Sequence, residues 1–448
     1  MKIKSLFFVA VLVVTFLPVR ILAQTDSLKS AAKADKIKKG WNFGGLPVIA
    51  YDSDIGFKYG ALVNVFHYGD GSQYPKYRHS FYFEWSRTTK GSGTNQFTYD
   101  SEYLIPGIRV SAEASLLTEQ SLDFYGFNGY KAYYNPDYED KKSDDYLSRM
   151  YYNMDRKLTR LKADFQGKIT GKQFRWFAGI EYNRAKMSTV DVDKLNKGKA
   201  IEDQLKDTSL FENFVKWGLI PADQADGGHT TLLKAGVVYD TRDIEANPMK
   251  GIWTELQLLM APSFLGNGDL AYTRIAITHR QYFTLAPQVL SFAYRLSYQA
   301  KLTGNMPYYM LPFVYNTAPS LTRDGLGGAK TIRGVLRDRI AGDGFVYGNL
   351  ELRWKFLRTH LGKQNIYLAL SGFLDGGKVT SPYKLPDTYN LEAKAYLSQG
   401  SKEKLHMGAG AGFHFVMNQN FVIAVDYGRA LDPGDGESGL YIGLNFLY

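Results

Sequence analysis

Residues Leu326 to Gly344 read LGGAKTIRGVLRDRIAGDG. This stretch is too rich in glycine and charge for a strand or a packed helix. Its flanks are different in kind. Within Gln288–Gly304 (QVLSFAYRLSYQAKLTG), Leu290, Phe292, Tyr294, Leu296 and Tyr298 share one face and oppose Ser291, Arg295, Ser297, Gln299 and Lys301. Within Phe345–Leu357 (FVYGNLELRWKFL), Val346, Leu350, Leu352, Trp354 and Phe356 oppose Tyr347, Asn349, Glu351, Arg353 and Lys355. Side chains of a strand change faces at every residue, so both flanks read as strands with one apolar and one polar side. A long, basic, glycine-punctuated excursion between them reads as a loop folded back into a barrel lumen.

Outward from this stretch the pattern repeats. Sixteen strand-like runs cover 44–51, 56–68, 77–89, 95–104, 108–117, 151–169, 173–190 and 230–243, then 251–263, 269–285, 288–301, 345–357, 365–374, 404–417, 421–430 and 438–448. In Leu158–Ile169, Leu161, Ala163, Phe165 and Ile169 are set against Arg160, Lys162, Asp164, Gln166 and Lys168. A soluble sandwich would alternate too, with its apolar face inward. Here the apolar faces gather aromatics near strand ends, as an interfacial girdle requires, and no second apolar layer remains to cover them.

Connection lengths test this independently. The long ones, Thr118–Met150, Asp191–His229, Leu302–Gly344 and Asp375–Glu403, follow the fifth, seventh, eleventh and thirteenth runs. Short turns such as Ile105-Pro106-Gly107, Thr170-Gly171-Lys172, Ala286-Pro287 and Asn418-Gln419-Asn420 alternate with them. All the long loops therefore fall at one end. Outer-membrane barrels have long outer loops and short periplasmic turns, and an even strand count puts both termini in the periplasm. Within the second long loop, Ile201, Leu205, Phe214 and Val215 are spaced for a short helix over Ile201–Trp217.

Composition agrees. Aromatics are 15% of the 448 residues, with 33 Tyr and 44 Gly, while the mean hydropathy is only −0.28. No apolar run of about 18 residues follows the N-terminus, which excludes a helical membrane protein. Met1-Lys2-Ile3-Lys4, apolar Leu6–Pro18 and the site Ile21-Leu22-Ala23 read as a signal peptide over 1–23. Its removal takes Lys2, Lys4 and Arg20 from the formal +10 and leaves +7, a mild balance that a lumen lined by both signs explains better than nucleic acid. The absence of Cys excludes disulfides and a lipid-modified cysteine. Residues 24–43 then form a short polar periplasmic segment, and 44–448 the barrel.

Several segments resemble the BamA/TamA-type outer-membrane assembly factors, the bacterial surface antigen family. Leu326-Gly327-Gly328 with Thr331-Ile332-Arg333-Gly334 is similar to the family's lumenal loop, although Val335 replaces the usual aromatic. Tyr239-Asp240-Thr241-Arg242-Asp243, with Asn247-Pro248 and Gly251, resembles its turn between two central strands. Asn349–Arg353, Gly372-Phe373-Leu374-Asp375-Gly376-Gly377 and Phe421–Gly428 follow in the family's order. At the terminus, Gly443, Phe446 and Tyr448 resemble the C-terminal signal of outer-membrane proteins, with Tyr441 where a more polar residue is usual. Parity puts Leu440, Ile442, Leu444, Phe446 and Tyr448 on one lipid-facing side.

The strand period also assigns partners. Glu351 lies on the inward parity of its strand, and Phe373 and Asp375 on that of theirs, so a guanidinium carried into the lumen can pair with both carboxylates. Arg333 is the candidate, with Ile332, Gly334 and Gly377 beside it. Gly44, Gly45 and Pro47 in the first run make the seam between first and last strands the weak one, because Pro lacks a ladder N–H and Gly weakens pairing.

Catalytic and metal chemistry find no support. The seven His have no ligand spacing; His406 and His414 share a face but lie about 27 Å apart at 3.4 Å per residue. Asp52, Asp54 and Gly56 lack the remaining ligands of a calcium loop. No enzyme activity and no cofactor is expected. The resemblance implies a sixteen-stranded antiparallel transmembrane β-barrel of the outer membrane that inserts or translocates proteins, or lipids. Its partners would be outer-membrane lipid, client barrels and a periplasmic protein supplying the repeat modules absent here. A plugged or passive solute channel and a structural or adhesive surface barrel are the alternatives.

Overall fold

A computed structural model describes residues 37–52, 56–74, 76–89, 91–318, 322–361, 364–418, 421–444 and 446–448. The expected signal peptide lies outside the described residues, and so do Asp54 and most of the short segment after the signal peptide.

Sixteen strands form one closed antiparallel barrel in which each strand pairs with its sequence neighbours. They are β1 (Trp41–Asp52), β2 (Gly56–His67), β3 (His79–Thr88), β4 (Gly93–Ile105), β5 (Ile108–Asp123) and β6 (Asn153–Thr170). Next come β7 (Phe174–Thr189), β8 (Gly227–Asp240), β9 (Gly251–Ala261), β10 (Tyr272–Ala286) and β11 (Leu290–Gly304). The barrel ends with β12 (Gly344–Leu361), β13 (Gln364–Ser381), β14 (His406–Met417), β15 (Phe421–Ala430) and β16 (Ser438–Leu444). The polar parity faces the lumen. Arg160 reaches Glu113 at 2.6 Å and Glu181 at 3.0 Å, and Lys234 reaches Asp164 at 2.6 Å. The opposite parity, with Leu161, Ile180, Leu352 and Trp354, is exposed around the outside, where a bilayer would cover it.

Several strand ends depart from expectation. β5 and β13 run on past Leu117 and Leu374 to Asp123 and Ser381, so the wall stands taller at the loop end. β16 stops at Leu444 instead of running to Tyr448.

The outer loops do not project as separate fingers. Phe124, Phe127, Phe214, Tyr308, Tyr383 and Tyr396 pack into one apolar cap, with Phe124 and Phe214 edge to face at 5.2 Å. Of the helix expected over Ile201–Trp217, only Leu210–Lys216 (α1) is α-helical, N-capped by Ser209, whose side chain accepts from Glu212 N–H. Ile201 is 85% exposed. The apolar spacing that suggested one helix is divided between a separate 3₁₀ turn at Ile201–Asp203 and this short helix.

Closure is uneven. β1 and β2 are in register over twelve pairs, from Trp41–His67 to Asp52–Gly56. Among the described residues, β1 meets β16 at one pair, Asp52 with Tyr441, at the outer end. Gly44, Gly45 and Pro47 pair with Asn64, Val63 and Ala61 of β2, and no described residue of β16 pairs with them.

Candidate functional site in the lumen

The segment between β11 and β12 descends from the cap into the barrel. Val314, Leu326, Ile332, Val335 and Ile340 bury themselves against Phe345, Tyr347 and Val379 of the wall. Short backbone and side-chain bonds hold its shape. Thr331 Oγ1 accepts from Gly327 N–H at 2.8 Å and donates to Gly327 O at 2.9 Å. The Thr331 carbonyl accepts from Asn349 Nδ2 at 2.6 Å.

Arg333 sits at the bottom of this loop, 1% exposed. Its Nε and Nη2 donate to the two oxygens of Asp375 at 2.8 and 3.2 Å, and its own backbone N–H donates to Asp375 Oδ2 at 3.1 Å. Nη1 lies 3.0 Å from Glu351 Oε2. The guanidinium plane stacks on Phe373, 3.4 Å from the ring centroid, so charge and quadrupole act together in a site closed to water. Both partners that strand parity proposed are therefore in contact with it.

A third carboxylate was not legible in the sequence. Asp426 of β15 accepts from Arg333 Nη1 at 3.3 Å, and His414 Nε2 lies 3.5 Å from Asp426 Oδ1. Arg353 joins from β12, donating to Glu351 at 2.7 Å. Two guanidiniums and a histidine thus face three carboxylates, an arrangement that needs every partner in place because unpaired buried charge is costly. Tyr441 of β16 was also missed as a partner; its hydroxyl accepts from Gly334 N–H at 3.2 Å.

Glycines explain how the loop comes so close. At Gly334 φ is +96°, and a Cβ there would lie 2.5 Å from the Arg429 carbonyl carbon. From the wall side, a Cβ on Gly428 would lie 2.7 Å from both the Arg333 carbonyl carbon and Gly334 N. Gly377 lies beneath Ile332, whose Cδ1 is 2.9 Å from where a Cβ would be. The one sequence signal for this bare strip is Gly408-Ala409-Gly410-Ala411-Gly412, with glycine at three alternate positions of β14.

The Tyr239–Gly251 motif forms the β8–β9 turn at the opposite, periplasmic mouth. Asp240 accepts from Arg242 Nε and Nη2 at 2.9 and 2.8 Å. Asp243 accepts from the N–H groups of Ile244 and Met249. Pro248 is buried, Tyr239 is on the outside, and Gly251 has φ +108°. These residues shape a turn and do not touch Arg333.

The C-terminal residues require a correction. Phe446 and Tyr448 do not face lipid; they are 8% and 6% exposed, inside the lumen. Phe446 packs 4.4 Å from the Arg353 guanidinium and 4.6 Å from the His414 ring. The Tyr448 hydroxyl donates to the carbonyls of Ala293 and Asn349, and its own carbonyl accepts from Arg353 Nη2 at 2.8 Å. Guanidiniums and carbonyls in the lumen outbid continued pairing with β1, where Pro47 has no N–H to offer. Gly443 remains in the wall, paired with Ala424.

A closed sixteen-stranded barrel, polar inside, defines the class: an outer-membrane β-barrel with a loop held in its lumen by buried ion pairs. The family model of the Omp85 superfamily domain matches residues 86–446, and the chain belongs to that superfamily. Among solved structures, CdiB from Escherichia coli is similar, with 10% identity over 92% of this chain and 64% of that one at a TM-score of 0.53. BamA from Haemophilus ducreyi lacking POTRA domains 1–3 shares 13% identity over 91% of this chain and 71% of its own, with a TM-score of 0.49. This chain therefore spans less than two-thirds of the E. coli CdiB chain. No curated protein matches it in sequence.

Proposed function

We propose that this barrel inserts or translocates other proteins at the bacterial outer membrane, with the β1–β16 seam as the place where a client strand engages. One observation carries the reading: the seam holds a single described register pair, Asp52 with Tyr441, while Trp41–Tyr51 have no described partner on β16. Backbone groups left unpaired at bilayer depth are expensive, and an open strand edge is a template for an incoming strand. The chain's own last residues do not fill that edge, because the lumen holds them. Clients are then proteins that bring an extended strand. A periplasmic partner that delivers such clients belongs to the proposal, and cross-linking in intact cells would recover it.

Depletion of the protein followed by quantification of the outer-membrane proteome tests the proposal. Loss of other barrels is expected, and an unchanged barrel complement would refute it. The reading as a solute channel is disfavoured by the cap and the latched loop, which fill the lumen from above. Bilayer conductance at the level of an open porin would reinstate it.

A further inference from the structure

The lipid-facing side of β3–β8 carries a basic row that the proposed activity does not use. Cross-strand register aligns Arg87, Gly93, Thr118, Lys157, Lys186 and Gly227 across six adjacent strands. Lys157 stands directly opposite Lys186, and both are exposed while their neighbours Arg156, Leu158, Ala185 and Met187 are buried toward the lumen. One row nearer the periplasm, Arg184 faces Thr159 on one side and His229 on the other. Arg87 lies three strands from Lys157 and is occupied where it stands. Its Nη1 donates to Ser86 O at 2.7 Å, and its side chain lies over Gly93, where a Cβ would fall 2.9 Å from both Arg87 Cδ and Thr118 Oγ1.

Like charges directly opposite on a sheet repel. No ion pair relieves this repulsion: among the described residues no carboxylate lies within ion-pair distance of Arg87, Lys157, Arg184 or Lys186. Asp155, on the same face one step farther out and opposite Ser188, feels the charge of Lys157 without pairing with it. Toward the periplasm the surface turns apolar at once, with Phe83, Phe97, Leu161 and Tyr182 in one register neighbourhood and Trp85 at 5.0 Å under Arg87. Strand direction puts the row at the outer end, beside the loops that form the cap. Aromatics beneath cations at the edge of an apolar belt mark headgroup level.

We propose that Lys157, Arg184 and Lys186 form a binding site for a phosphorylated lipid of the outer leaflet. Its phosphate oxygens would sit between Lys157 and Lys186 and accept from Arg184, and its acyl chains would cover Leu161 and Leu116 below. Phosphate supplies the charge the sheet lacks, and the apolar belt supplies the surface that free phosphate cannot use.

The full chain refolded in a neutral detergent tests this by titration with diphosphorylated lipid A, with its dephosphorylated form, and with inorganic phosphate, read by native mass spectrometry and thermal unfolding. Diphosphorylated lipid A is expected to bind and raise the unfolding midpoint, and the K157Q/R184Q/K186Q variant to bind at least about tenfold more weakly. Lys186→Glu, which pairs with Lys157 and preserves the sheet, should be more stable than the parent without lipid yet unresponsive to it. Equal binding by the variants, or equal binding of the dephosphorylated lipid, overturns the proposal. Competition by millimolar inorganic phosphate would assign the site to free phosphate and overturn the lipid.

Discussion

Arg333 and Asp375, forty-two positions apart in the chain, meet through three hydrogen bonds: two from the guanidinium and one from the Arg333 backbone N–H. The contact fixes both the position and the direction of the lumenal loop, because the same carboxylate holds side chain and main chain. Asp375→Asn should destabilise the folded barrel by about 1.5–3 kcal/mol, since it weakens charged hydrogen bonds to a guanidinium that keeps only Glu351 and Asp426 as counter-charges. Proteolysis of the loop, with heat-modifiable migration as the check on the barrel, reads it. A loop as protected as the parent's would show that the latch is not what holds it.

Close approach gives a second, uncharged test. Gly428→Ala places a methyl group against the backbone of Arg333 and Gly334, neither of which can turn away. A cost of about 1–3 kcal/mol is expected, as for overpacking elsewhere. Gly443→Ala, with nothing within 4 Å of the added carbon, is the control and should lose far less. Equal losses in urea unfolding would mean that bare strand, not loop contact, sets the cost.

The seam makes a functional prediction. Extended by two residues, the Asp52–Tyr441 register would put Ala50 opposite Gly443, so Ala50→Cys with Gly443→Cys should cross-link on oxidation whenever the seam closes. Cells depending on the locked protein should stop assembling other barrels and resume after a reductant is added. Normal assembly in the locked state would remove the seam from the mechanism.

Acid should loosen the cap at a defined place. Glu403 accepts from the backbone N–H of Tyr130 and of Val379, and lies 3.3 Å from His406 Nε2. Burial alone would raise its pKa, but the hydrogen bond and charge of His406 with the two N–H groups outweigh it and hold it below the usual 4.5. A depressed carboxylate contributes stability that is present above the ordinary value and disappears as pH falls through the folded one. Hydrogen-exchange protection at Tyr130 should therefore persist above about pH 4.5 and fall in stronger acid. Glu403→Gln should lower it at neutral pH, and protection that ignores both changes would contradict the assignment.

Much of this was legible in the chain. A period of two residues decides which way every strand side chain points, so the apolar outside, the polar lumen and the inward aim of Glu351, Phe373 and Asp375 follow from alternation alone. Loop lengths set which end is which, and Leu326–Gly344 identified itself by having neither period. Parity says nothing about height, though, or about which distant strands meet a loop inside a closed barrel. The arrival of Asp426 and Tyr441 at Arg333 depends on how β15 and β16 close the ring, and the bare glycine strip becomes a landing surface only when the loop lies on it. The last three residues show the limit most plainly: alternation directs Phe446 to lipid, and the folded lumen, with Arg353 and carbonyls waiting for partners, draws it inside.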